Sequence, residues 1–126
     1  MRIAGAEGEE DAPVNPPARV GIVGAGRAGA QLALELAGNR NFGRMAVAFF
    51  DDDFHKWQKS IHDVLVAGMP ECLLDGWKDK LDEVVITLPG TPADRLHEIE
   101  RLLRKTNLKI YTASCPARFW ERQPMT

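Results

Sequence analysis

Five short apolar segments alternate along the chain with helical patterns and turn residues. The segment at 45–53 is apolar on both faces and suits a buried parallel strand, and the segment at 82–89 is rich in the β-branched residues that favour strands. Such segments are typical of a parallel sheet covered on both sides. The five predicted strands lie at residues 19–25, 45–53, 63–68, 82–89 and 108–114.

Two longer segments have the apolar spacing of helices that bury one face. The first covers residues 26–38, and its apolar positions are Ala28, Leu32 and Leu36. The second is predicted to have Thr91 as N-cap and Pro92 as its first helical residue, and to end near Lys105. Its buried positions are predicted to be Leu96, Ile99 and Leu103. Residues 70–80 predict a shorter helix.

Composition limits the class of protein. The chain has 126 residues, which suits one domain, and 16 basic against 18 acidic residues leave a net charge of -2. We therefore expect no nucleic-acid partner. No apolar run approaches the about 18 residues of a membrane helix, so no membrane segment is expected in this chain. Without a secretory signal the expected location is cytoplasmic, and Cys72 and Cys115 are interpreted as ordinary thiols.

Three closely spaced glycines follow the first predicted strand and open the first helix. In G-A-G-R-A-G, Gly24 permits a tight turn, Gly26 leaves room for a pyrophosphate at the backbone, and Gly29 lets the helix pack closely on the sheet. Asp51 ends the second strand, where a carboxylate accepts hydrogen bonds from an adenosine ribose. The pattern favours a dinucleotide site, and a simple tight bend is the alternative.

The candidate cofactor-binding residues are the turn and the acidic end of the second strand. They are Gly24, Ala25, Gly26, Arg27, Ala28, Gly29, Asp51 and Asp52. For Asp52 and Asp53 a solvated loop is the favoured interpretation, and Arg27 either contacts a phosphate or faces water. NAD is the expected cofactor, because a carboxylate at Asp51 repels the 2′-phosphate of NADP unless Arg19 or Arg27 reaches that phosphate.

Catalytic chemistry has no candidate in this sequence. A dehydrogenase of the short-chain type needs a Tyr and a Lys four residues apart, whereas Tyr111 has Cys115 at that offset. The three histidines lack metal-ligand spacing, so no catalytic residue and no metal site are predicted.

A family resemblance rests on four segments in order: "VGIVGAGRAGAQLALEL", "VAFFDDD", "IHDVLVAG" and "DEVVITLPGTPADRLHEIERLLRKTNLKI". Together they resemble the Rossmann-type, CoA-binding-like domain of bacterial polysaccharide-biosynthesis proteins. Those proteins include the CapD-like nucleoside-diphosphate-sugar epimerases and 4,6-dehydratases and the undecaprenyl-phosphate sugar phosphotransferases. The resemblance covers about residues 19–112. The last dozen residues depart from the family pattern.

Fold and organisation follow from the strand–helix alternation. It predicts an α/β protein with a Rossmann-like three-layer α/β/α arrangement and a parallel five-stranded sheet in the order 3-2-1-4-5. Residues 1–17, rich in proline and acidic residues, are predicted to be a disordered tail or linker, and residues 18–126 the nucleotide-binding domain.

The resemblance implies a nucleotide-binding module that is not catalytic alone. Its ligand would be a dinucleotide or a nucleotide-sugar: NAD(H), with a UDP-sugar or CoA as alternatives. Leu88, Pro89 and Gly90 are implied as secondary contacts. A parent protein would be an epimerase, a dehydratase or a sugar-phosphate transferase, and could be membrane-anchored. A structural dimerisation domain, and hence a homodimer, is the remaining alternative.

Overall fold

A six-stranded sheet forms the centre of the computed structural model, which describes residues 16–112. The strands are β1 (Ala18–Val23), β2 (Arg44–Phe50), β3 (Ser60–Ile61), β4 (Val64–Gly68), β5 (Glu83–Ile86) and β6 (Lys109–Thr112). Their order is β3-β4-β2-β1-β5-β6, with all neighbours parallel except β3 and β4. The predicted order of the five parallel strands is therefore confirmed.

The predicted number of strands is wrong by one, because β3 is a short antiparallel edge strand. It joins β4 through His62 and Asp63, whose φ angles of 51° and 66° are both left-handed. Asn-Gly and Asp-Gly are the usual residues in such two-residue hairpin turns. A His-Asp turn beside a two-residue strand therefore carries no recognisable hairpin signal.

Helices cover both faces of the sheet. The two α-helices are α1 (Arg27–Gly38) and α2 (Ala93–Arg104). Helix α2 begins later than predicted, with Pro92 as N-cap in place of Thr91 and no side-chain capping bond. The predicted helix at 70–80 is instead two 3-10 helices, because Gly76 interrupts it with a φ of 100°. The 3-10 helices are Arg40–Phe42, Phe54–Lys56, Pro70–Leu74 and Trp77–Lys80.

Two apolar clusters lie on opposite faces of the sheet and confirm the three-layer arrangement. Helix α1 contributes Leu32, Ala33 and Leu36 to the first cluster, together with Phe49 from β2. Helix α2 contributes to the second cluster with Ile99, Leu102 and Leu103, which pack with Phe50, Val84 and Ile86. Successive residues of β2 thus enter different clusters, as expected for a strand buried on both sides.

Ion pairs hold the amino-terminal ends of the central strands. Arg44 Nε lies 2.7 Å from Glu83 Oε1 and spans from β2 to β5, and both side chains are largely buried. Arg19, at the start of β1, pairs with Asp82 at 3.1 Å. The carboxyl-terminal ends of the same strands meet at the opposite edge, where the glycine turn leaves β1.

Several predictions fall outside the described range. They concern most of the tail at 1–17, the end of the fifth predicted strand, Cys115 and the last dozen residues. Within residues 16–112, Cys72 is a free thiol, and no helix is both long and apolar enough to cross a bilayer.

Candidate functional site

The turn after β1 requires glycine at its first position. Gly24 has a φ of 116°, a conformation that favours glycine, and its N–H donates to the Phe50 carbonyl oxygen at 2.7 Å. A Cβ at this position would collide with the carbonyl oxygen of Thr87. The backbones of β1, β2 and β5 therefore meet at Gly24 without space for a side chain.

Gly29 lets helix α1 approach that turn closely. A Cβ on Gly29 would overlap the Gly24 carbonyl oxygen and would lie 3.1 Å from Thr87 Oγ1. Thr87 is buried, and its hydroxyl is 3.3 Å from the carbonyl oxygens of Gly24 and of Val23. Gly29 thus has the packing role that the sequence predicts for the third glycine.

Gly26 has different surroundings. It is the N-cap of α1, makes no side-chain cap because it has no side chain, and is exposed. A Cβ built on it meets no atom of the described residues within 4 Å. The space in front of the backbone is open where a diphosphate would approach.

The first turn of α1 presents backbone donors toward that space. The N–H groups of Arg27, Ala28 and Gly29 have no acceptor among residues 16–112, since the first intrahelical bond is made by the Ala30 N–H to Gly26 O at 2.9 Å. A helix N-terminus carries a partial positive charge, so these donors and the helix dipole favour an anion.

Asp51 lies against the glycine turn. Its Oδ2 accepts a hydrogen bond from the Ala25 N–H at 2.7 Å, and its Oδ1 accepts one from the Asp53 N–H at 2.8 Å. The Trp57 indole N–H donates to the Asp51 carbonyl oxygen at 2.7 Å. The carboxylate, 14% exposed, is therefore held in one orientation at the carboxyl end of β2.

Lys56 joins this group, although no motif in the sequence includes it. Its Nζ donates to the Ala25 carbonyl oxygen at 3.3 Å and lies 3.9 Å from Asp51 Oδ2. Arg19, considered in the sequence as a cation for a phosphate, is instead at the opposite end of β1, where its guanidinium lowers the pKa of Asp82. Arg27 is exposed at the start of α1.

The loop after β5 borders the turn on its other side. Leu88 Cδ2 would lie 3.0 Å from a Cβ at Gly24, so the Leu88 side chain packs beside the glycine turn. Pro89 and Gly90 are exposed further along the loop, and Gly90 has a φ of 88°. All three predicted secondary positions therefore follow the carboxyl end of β5.

Asp52 takes a different direction from Asp51. Its carboxylate binds Arg95 of α2, with distances of 2.6 Å to Nη2 and 2.9 Å to Nε. Arg95 also contacts Glu71 at 2.9 Å and Glu98 at 3.2 Å. Hydrogen bonds from Arg95 lower the pKa of Glu71, and bonds to Asp52 and Glu71 raise the pKa of Arg95. This Arg95 cluster fastens α2 to the loops that follow β2 and β4.

The Tyr111 hydroxyl lies beside the Arg44–Glu83 ion pair. Tyr111 lies in β6, is 1% exposed, and has its hydroxyl 3.5 Å from Glu83 Oε2. Among residues 16–112 no three His, Cys, Asp or Glu side chains are grouped so that they could hold a metal ion.

Comparison with known proteins finds similar solved structures. No family model and no curated protein sequence matches the chain. UDP-D-quinovosamine 4-dehydrogenase from Vibrio fischeri is similar at 24% identity over 83% of this chain and 84% of that chain, with a TM-score of 0.69. RSP, a Rex-family repressor, is similar at 22% identity over 76% of this chain, with a TM-score of 0.65.

A second structure of RSP, in complex with β-NADH, is similar at 22% identity over 76% of this chain, with a TM-score of 0.64. The chain spans 44% of the repressor chain in the first RSP structure and 45% in this one. At these identities the comparisons establish the fold, which is Rossmann-like.

Proposed function

We propose that residues 18–126 form a nucleotide-binding domain that holds NAD(H) at the glycine turn and performs no catalysis alone. The observation that carries the proposal is that the three glycines have different surroundings. Gly24 and Gly29 have no room for a side chain, whereas Gly26 has open space in front of it. A turn that served only as a bend would need the first and third glycines and would not need the second.

The diphosphate of the ligand would lie at the N-terminus of α1. There Arg27, Ala28 and Gly29 offer backbone N–H groups, and the missing side chain of Gly26 permits close approach. The adenosine ribose would lie at Asp51. A carboxylate has about four lone-pair directions, of which Ala25 and Asp53 use two, so the remaining two suit the ribose hydroxyls.

One similar protein supports this choice of ligand, because RSP forms a complex with β-NADH. We further propose that the domain belongs to, or derives from, a CapD-like nucleoside-diphosphate-sugar epimerase or 4,6-dehydratase of polysaccharide biosynthesis. The chemistry of hydride transfer would be supplied by the nicotinamide, and an acid–base pair for it would have to come from elsewhere in a parent protein.

A UDP-sugar is the second candidate ligand. The similar Vibrio fischeri protein is a UDP-sugar 4-dehydrogenase, and UDP-sugars and NAD would both present a diphosphate to the same backbone N–H groups. The two ligands share the ribose proposed to lie at Asp51 and differ in the base attached to it, which is uracil in a UDP-sugar and adenine in NAD.

Equilibrium dialysis against an equimolar mixture of NAD⁺, UDP-N-acetylglucosamine and CoA tests the proposal. Mass spectrometry then quantifies each compound on the protein side. We expect enrichment of NAD⁺ by the unmodified protein and none by a Gly26→Val variant. Enrichment of UDP-N-acetylglucosamine or CoA instead would replace NAD by that ligand. No enrichment of any compound would refute a nucleotide site.

A further inference from the structure

Lys56 is held at the edge of the proposed ribose site by its own short helix. Asp53 begins this 3-10 helix by accepting a hydrogen bond from the His55 N–H at 3.0 Å, and the Lys56 N–H donates to the Asp53 carbonyl oxygen, also at 3.0 Å. Trp57 follows and packs against the core cluster on the α1 side. Backbone hydrogen bonds therefore hold the segment that carries Lys56, and its Nζ reaches back to Asp51 and Ala25.

The ammonium of Lys56 retains capacity for another acceptor. It has three N–H donors, and the structure gives it one hydrogen bond, to Ala25 O at 3.3 Å. Its distance of 3.9 Å to Asp51 Oδ2 is that of an ion pair without a direct hydrogen bond. The side chain is 38% exposed, and Lys56 is the one cation among residues 16–112 within 4.0 Å of the Asp51 carboxylate.

We propose that Lys56 is a specificity-determining residue that donates hydrogen bonds to a 2′-phosphate on the ribose of the bound dinucleotide. The inference rests on the proposed function. A ribose at Asp51 that carries a 2′-phosphate brings a second anion close to the carboxylate, which by itself disfavours binding. Lys56 offsets the charge of Asp51, and its remaining N–H donors lie close to the carboxylate beside which the 2′-phosphate would stand. The site therefore prefers NADH but tolerates NADPH to a degree that Lys56 sets.

Fluorescence titration of the full chain with NADH and with NADPH tests this role. The variants are Lys56→Gln, which removes the charge, and Lys56→Arg, which keeps it. Lys59→Gln is the matched control, because it removes a lysine from the same segment and Lys59 takes part in none of the ion pairs among residues 16–112. Unchanged NADH binding also reports that each variant is folded.

In Lys56→Gln we expect NADPH to bind about five- to tenfold more weakly, as for loss of a partly exposed charge-assisted contact. The affinity for NADH should change less than about twofold, since NADH lacks the 2′-phosphate. Lys56→Arg and Lys59→Gln should both keep the ratio of the unmodified protein.

Two results with Lys56→Gln would overturn the inference. Equal weakening of NADH and NADPH binding in Lys56→Gln would assign Lys56 to holding the turn through Ala25, and unchanged affinity for both nucleotides would assign it no role in binding. Failure of the unmodified protein to bind either nucleotide would overturn the proposed function itself, and this inference with it. Failure of the inference and failure of the proposed function are distinguishable, because the NADH-to-NADPH ratio can be measured only if the unmodified protein binds both nucleotides.

Discussion

A pair of single-methyl substitutions separates the folding role of the glycine turn from its binding role. Gly29→Ala and Gly26→Ala each add one Cβ, three residues apart in the same turn. At Gly29 the added atom overlaps the Gly24 carbonyl oxygen, whereas at Gly26 it meets no atom of the described residues within 4 Å. We expect the first substitution to destabilise the protein and the second to weaken nucleotide binding without unfolding it.

The magnitude for Gly29→Ala follows from the rigidity of its neighbour. Gly24 O belongs to a backbone held by a 2.7 Å hydrogen bond to Phe50 and by close contact with Thr87, so it cannot move aside without disturbing the sheet edge. Overpacking of this kind costs about 1–3 kcal/mol or more, and the helix propensity of Ala returns at most about 1 kcal/mol. A net loss of about 2 kcal/mol would lower Tm by about 8 °C or more.

Gly26→Ala should be nearly neutral for folding. Its φ of -91° is accessible to Ala. Replacing Gly by Ala lowers the conformational entropy of the unfolded chain, and the resulting stabilisation of about 0.4–1 kcal/mol offsets the poor N-capping of Ala. Its methyl group would lie in the path of the diphosphate. We expect at least about a tenfold loss of NADH affinity, or about 1.4 kcal/mol.

Urea unfolding and NADH titration of both variants form the assay. A normal urea midpoint for Gly29→Ala would refute the close contact between α1 and the turn. Unchanged NADH affinity in a folded Gly26→Ala variant would refute the assignment of the open space to the diphosphate. Either result would show that the glycine spacing has another cause.

Three further predictions concern charged side chains. Glu83→Gln removes the buried carboxylate that pairs with the partly buried Arg44, and should lower the free energy of unfolding by about 3 kcal/mol, measured by urea denaturation. Because Arg95 lowers the pKa of Glu71, its stabilising effect is present above the ordinary pKa of Glu and is lost as the pH falls through the lowered value. The Tm difference between the unmodified protein and Arg95→Gln should therefore shrink as the pH falls below about 4.5, and a constant difference would contradict this linkage. Asp51→Asn should weaken the binding of NADH about ten- to a hundredfold and reduce the difference between the NADH and NADPH affinities in parallel titrations. An unchanged difference would place the ribose elsewhere.

The features that sequence predicts well here are those with short-range causes. The order of the five parallel strands follows from apolar segments separated by helical patterns, and the fold agrees. The turn at Gly24–Gly29 and the carboxylate of Asp51 were predicted from spacing, and the structure brings them together through the Ala25 N–H. Asp51 could be placed because parallel strands end at the same edge of a sheet.

The features that sequence does not predict depend on contacts between distant segments. Lys56 reaches Ala25 only because a 3-10 helix after β2 turns back toward the glycine turn, and nothing in its neighbours signals that turn. Arg95 contacts both Asp52 and Glu71, and the three residues lie in three separate segments of the chain, so no sequence spacing predicts the cluster. The β3–β4 hairpin lacks the glycine that usually identifies its turn type.

Calorimetric titration of NADH into the purified chain, with Gly26→Val as the matched variant, tests the central claim most directly. The account predicts saturable binding at one site per chain, competition by NAD⁺, and no measurable heat for a Gly26→Val protein that still unfolds cooperatively on heating. Equal binding by both proteins, or no binding by the unmodified protein, would contradict the claim that the open glycine turn is a nucleotide site.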